Sequence, residues 1–296
     1  MQKRYRAAAT ALLLTATAGM AATGGAAEAS GTHHHSRAAA KSLTITIKSK
    51  AHSLKVSDTK FRPGKTVFRV KNMDGKASKG LVQLLRLRKG YTLQDAFTDV
   101  PNALNGDPTA VQRVDKHIIF YGGMGAAGGR HKPAQKWAVN VNKAGTYYLV
   151  NLDSGNLVPL TVKGAKQRRA LPARDGFINA VTSNNAAGNS FKAGKHNPVS
   201  GWMSTKNKAK EPHFVELDQV KKSTTNKDIT KMFQGGPNVF VDHGATAGTG
   251  VISPGHTFLW SYNLKKAKYG VLCFWPSATD GMPHAVMGMH IVTHLG

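Results

Sequence analysis

Only one cysteine, Cys273, occurs in 296 residues, which excludes a disulfide within the chain and leaves every core to be held by burial alone. Acidic residues are scarce as well: 15 Asp and Glu stand against 41 Lys and Arg, for a net charge of +26. The excess is dispersed from Lys41 to Lys268, densest over 163–174, and reads as diffuse affinity for polyanions such as anionic cell-surface polymers. No recognition-helix, zinc-finger or RNA-motif pattern is present, so specific nucleic-acid binding is not expected. Gly-x-Ser-x-Gly, Cys-x-x-Cys and His-Glu-x-x-His are all missing, which leaves hydrolase and zinc-site readings without support. Beyond the first two dozen residues, no apolar run is long enough to cross a bilayer.

Lys3, Arg4 and Arg6 precede an apolar stretch from Ala7 to Ala22, and Ala27-Glu28-Ala29 supplies small residues at its end. This is a signal-peptide pattern over residues 1–29, with cleavage expected after Ala29 and no transmembrane segment once it is removed. The expected location is secreted, extracellular or cell-wall associated. Residues 30–41 carry His33, His34 and His35 without apolar periodicity and read as a flexible mature N-terminus.

From Ser42 onward the pattern alternates. Leu43, Ile45 and Ile47 share one face and Thr44, Thr46 and Lys48 the other, the signature of a half-buried strand. Further short runs lie at 67–70, 81–87, 118–121, 137–141 and 147–152, each bounded by Gly, Pro, Asn or Asp. Thr92 to Phe97 is expected to form a single helical turn, and Asp153-Ser154-Gly155 a turn. Nothing resembles a βαβ series.

The second half repeats the first. Phe61-Arg62-Pro63-Gly64-Lys65 matches Phe191-Lys192-Ala193-Gly194-Lys195. Val82, Leu84, Leu87, Lys89, Thr92 and Asp95 match Val215, Leu217, Val220, Lys222, Thr225 and Asp228. Phe120 to Gly123 matches Phe233 to Gly236, and the segment with Tyr147, Leu149 and Val150 matches that with Tyr269, Val271 and Leu272. The expected fold is all-β: two tandem antiparallel Greek-key β-sandwich domains, at 42–163 and 175–296, joined by a basic linker at 164–174.

Residues 269–274 read Tyr-Gly-Val-Leu-Cys-Phe and 281–289 read Gly-Met-Pro-His-Ala-Val-Met-Gly-Met, while an upstream strand opens Glu211-Pro212-His213-Phe214. In this order of Cys, His and Met after an earlier His, the C-terminal half resembles the cupredoxins, the blue copper proteins; 42–162 resembles them by strand pattern only. The resemblance implies a type 1-like copper site of His213, Cys273, His284 and Met289, with Met287 as the fallback axial residue. It also implies one-electron transfer or copper handling with a redox partner protein.

The donor set has its own physical logic. Copper cycling between two oxidation states suits one thiolate, two imidazoles and a weak thioether. Ten residues separate Cys273 from His284, a longer loop than the simplest family members have. His243 and His256 fall outside the set and read as turn or surface residues. In the first half Gly80 stands opposite His213 and Asn151 opposite Cys273, so that half is expected to bind no copper. Multicopper oxidases also use tandem domains of this kind, but their extra copper centre needs paired His-x-His elements, which are absent. A metal-free cupredoxin-like binding or structural module of the cell surface is the alternative reading.

Overall fold

The computed structural model describes residues 42–48, 53–72, 80–125 and 134–296, with the backbone alone described at 42–48. The expected signal peptide and the His33 to His35 tract lie outside these residues.

The first half runs β1 (Ser42–Lys48), β2 (Ser53–Val56), β3 (Lys60–Phe61), β4 (Gly64–Asn72), β5 (Val82–Leu87), α1 (Leu93–Leu104), α2 (Pro108–His117), β6 (Ile118–Met124), β7 (Gln135–Val141), β8 (Gly145–Asn151) and β9 (Leu157–Val162). The second runs β10 (Gly176–Thr182), β11 (Asn189–Ala193), β12 (Ser200–Lys206), β13 (Glu216–Gln219), α3 (Asn226–Phe233), β14 (Thr246–Gly248), β15 (Thr257–Asn263), β16 (Ala267–Leu272) and β17 (His290–Leu295).

Period-two burial decides the faces. In β4 the buried positions alternate with more open ones, and Phe68 and Val70 are fully enclosed. Phe68 stacks on Trp137 of β7 at 4.1 Å and meets Phe61 of the other sheet edge-on at 6.4 Å, which closes the first sandwich. Most pairings are antiparallel; β1–β4, β3–β9 and β10–β12 are parallel.

The two halves are fused by a shared sheet. Eight strands pair in the order β11-β10-β12-β15-β7-β4-β1-β2, and the seam is β15 on β7, with Phe258 opposite Val139 and Trp260 opposite Trp137. The second layers stay separate, as β3-β9-β8-β5-β6 and β14-β13-β16-β17. Pairing edge to edge removes two exposed edges that would otherwise invite association.

A second seam runs beside it. Gly122 N donates to Val251 O and Gly250 N to Gly123 O, while Phe120 and Ser253 exchange bonds. Gln83, fully buried, donates to Leu84 O, Gly122 O and Val251 O and accepts from Val251 N. Gly122 has φ of 91°, and a Cβ there would lie 2.2 Å from the Phe258 ring, so both conformation and space require glycine.

The single helical turn expected near Thr92 is a pair of helices. Thr92 opens α1 with a reciprocal capping box: Asp95 N donates to Thr92 Oγ1 and Thr92 N to Asp95 Oδ2. Asp107 then accepts from Thr109 N and Ala110 N ahead of Pro108, the start signal of α2. Thr225 and Asp228 open α3 in the matching place, with the Asp228 carboxylate accepting from Thr225 N and Oγ1. The match of Phe120–Gly123 with Phe233–Gly236 has no structural counterpart, since the first lies in β6 and the second at the end of α3.

Candidate metal centre

β16 ends at Leu272, and Cys273 follows it into a fully buried position. His213, three residues before β13, is clamped by reciprocal backbone bonds with Ile252 (His213 N to Ile252 O, 3.1 Å; Ile252 N to His213 O, 2.7 Å). Because 250–253 is itself paired to the first half, both halves position this imidazole. His284 is fixed by its own N–H on Trp275 O at 3.0 Å and by Ala285 N on Cys273 O at 2.6 Å.

These three side chains converge. Cys273 Sγ lies 3.6 Å from His213 Nδ1 and 4.0 Å from His284 Nδ1, and the two Nδ1 atoms are 3.2 Å apart. All are buried, and among the described residues they form the one His, Cys, Asp or Glu group arranged to hold a metal ion. A soft sulfur and two imidazole nitrogens facing one point form a donor set that fits copper. Met289 is fully buried at the foot of β17, its N–H bonded to His284 O at 2.8 Å, after Gly288 turns the chain at φ 103°. Met287 is half-buried. His243 is exposed, and His256 is half-buried with Nδ1 3.0 Å from Pro254 O. Asn151, opposite Cys273 in the repeat, accepts from Asp153 N and Ser154 N and so makes the expected turn.

The electrostatics separate the two imidazoles. Burial pushes His213 well below its usual value, and the neighbouring His284 adds to the effect. For His284, burial acts in the same direction, but the Cys273 sulfur and the Glu211 carboxylate outweigh it and raise the ring to about 9. Glu211 Oε2 sits 3.0 Å from His284 Nε2 and also accepts from Asn189 Nδ2 at 3.1 Å. It therefore orients the ring with Nδ1 toward the thiol, the role a carboxylate plays behind a ligating histidine. Glu211 adjoins the His213 motif in sequence, yet nothing in that pattern singled it out.

The long loop between Cys273 and His284 is accounted for by what it rests on. Trp275 Nε1 donates to Asp115 Oδ1 at 3.2 Å, and Gln112 Nε2 donates to Ala278 O at 2.8 Å. Gly281 packs so closely on the α1–α2 connection that a Cβ there would lie 2.0 Å from Gly106 O. The helices of the first half thus support the loop of the second.

No family model matches the chain, and no curated protein matches it in sequence. Among solved structures it is similar to a dithionite-reduced auracyanin from Roseiflexus castenholzii, at 15% identity and a TM-score of 0.25 over 42% of this chain and 99% of that one. It is also similar to a multicopper oxidase from Pediococcus acidilactici (11%, 0.25, 87% and 59%) and a copper nitrite reductase from Nitrosomonas europaea (11%, 0.22, 86% and 94%). The β-sandwich layers and the His–Cys–His group that the resemblance to cupredoxins implies are both present in the chain's own strands and side chains.

Proposed function

We propose that this chain is an exported copper-binding protein that moves single electrons, in which His213, Cys273 and His284 would hold the metal and Met289 would add a weak thioether donor. The observation that carries the reading is the convergence of two Nδ1 atoms on one buried thiol. Copper bound there would supply a one-electron couple.

The chain's own residues do the rest. Cys273 is enclosed, so its thiolate is shielded from oxidants in the compartment the leader sequence implies. Phe274 and Trp275 are buried and limit water access, and Glu211 holds the His284 ring in place. The Asp115 and Gln112 contacts hold the loop, and a fixed donor set needs little rearrangement when its charge changes. The first half, lacking His and Cys at the equivalent positions, serves as support. The dispersed basic surface favours anionic wall polymers and a redox partner with an acidic contact face, and this attraction weakens with salt.

Copper(II) added to the purified protein is expected to bind one to one and give an intense visible thiolate-to-copper band, and Cys273→Ser removes it. Uptake of copper unchanged by Cys273→Ser overturns the reading. No stoichiometric uptake by folded protein leaves the metal-free module, in which the 3.2 to 4.0 Å contacts among the three side chains act as a closed polar cluster of the core.

A further inference from the structure

An apolar cavity of about 510 Å³ lies where the two halves meet, within the range of small-molecule sites (about 300–1,000 Å³). α1 contributes Ala96 and Val100, β6 contributes Phe120, and the second half contributes Phe214, Val215 and Trp275. Three further observations set it apart from a packing defect.

Phe97, Leu104 and Leu152, at 51%, 37% and 43% exposure, are the large hydrophobic side chains exposed among the described residues, and all three border this cavity. Single exposed apolar residues are ordinary, but their concentration at one opening marks a contact site. Glu216 lines the cavity, is only 6% exposed, and has no hydrogen-bond or ion-pair partner among the described residues. A buried carboxyl without a partner is costly unless something else satisfies it. Finally, no Lys, Arg or His among the described residues lines the cavity, in a chain with 41 Lys and Arg.

We propose that this cavity binds a small uncharged molecule with an apolar body and a single hydroxyl group, the body against Val100, Phe120 and Phe214 and the hydroxyl on the Glu216 carboxyl. An anion finds no cation here. An ammonium group is repelled by the chain's net positive charge. It also meets a carboxyl that burial, chiefly, keeps protonated well above the usual carboxylate range. A hydroxyl group can both give a hydrogen bond to such a carboxyl and take one from it.

The test is calorimetric titration of the full chain, with a chelator present to keep the metal centre out of the readout. The probes are 4-methylphenol, toluene, 4-methylbenzoate and 4-methylbenzylammonium. We expect 4-methylphenol to bind about tenfold more tightly than toluene, the worth of one good hydrogen bond, and both ions to bind more weakly than the phenol. Glu216→Leu should reduce the phenol to the affinity of toluene. Ala96→Trp, on the helix across the cavity, should fill the space and abolish binding of both, with circular dichroism verifying that each variant is folded. Absence of saturable phenol binding, equal affinity for phenol and toluene, or binding unchanged in Ala96→Trp overturns the proposal. So does a concentration-dependent dimer abolished by Phe97→Ser, which would assign the apolar opening to a second copy of the chain. The assay contains no copper, so failure of the copper reading and failure of this one are distinguishable.

Discussion

Trp275 and Asp115 are joined across the two halves: the indole N–H in the loop between Cys273 and His284 donates to the carboxyl of Asp115 on α2 at 3.2 Å. Burial lifts the Asp115 carboxyl to about 7. The Trp275 bond and His284 pull the other way, and Glu211 reinforces the rise.

A carboxyl that holds its proton more tightly folded than unfolded makes stability fall as pH rises. For Asp115 the loss runs from about pH 4 to about pH 7, and a shift of about three units bounds it at about 4 kcal/mol. Asp115→Asn keeps an acceptor for Trp275 and removes the titration. Urea unfolding at pH 5 and pH 8 is expected to show a smaller difference in the variant than in the parent. Equal differences would contradict the assignment.

Gln83 saturates four backbone groups at the seam between the halves. Gln83→Leu is close in size but leaves buried carbonyls and an N–H without partners. We expect a loss of about 3 kcal/mol, read as a lower urea midpoint. Unfolding should become less cooperative as the halves uncouple, and a loss below about 0.5 kcal/mol would show that the seam relies on the β7–β15 pairing instead.

Tyr147 donates its hydroxyl to Lys143 O, and Tyr269 donates to Lys265 O, both at 2.9 Å and both reaching back four residues. The same bond recurs at the equivalent place in each half. Tyr269→Phe is expected to cost about 1 kcal/mol and Tyr147→Phe somewhat more, since its hydroxyl also bonds Tyr121, and the double variant about the sum, because the sites are independent. A Tyr269→Phe cost below about 0.3 kcal/mol would argue against this bond as a stabilising feature of each half.

Met289 is enclosed while Met287 is half-buried. If Met289 is the axial residue, Met289→Leu preserves the visible band but shifts the reduction potential, and Met287→Leu changes neither. A potential moved only by Met287→Leu would transfer the axial role. His213→Ala and His284→Ala should weaken copper binding far more than His243→Ala or His256→Ala.

Much of the architecture is legible in the chain. The short runs at 67–70 and 147–152 fall in β4 and β8, where every second side chain is buried. The repeat found Thr92 with Asp95 and Thr225 with Asp228, and the structure shows both pairs opening helices. The two helices leave a weaker mark. Asp107-Pro108 is a start signal readable without coordinates, but the short connection through Gly106 masks two helices as one irregular stretch.

Residue type and order determined the candidate ligands: one thiol in the chain, a histidine upstream of it, which the structure places just before β13 rather than on a strand, and a histidine and methionine after the thiol. Only the tertiary structure decided that His213, Cys273 and His284 meet, that Glu211 stands behind one imidazole, and that Asp115 supports the loop from the other half. It alone also decided that β15 and β7 fuse two sandwiches into one sheet. The reason is physical. Side-chain pattern reports which face of a strand is buried, but strand edges pair through backbone N–H and C=O groups that nearly every residue carries, so the choice of partner leaves no local mark in the sequence.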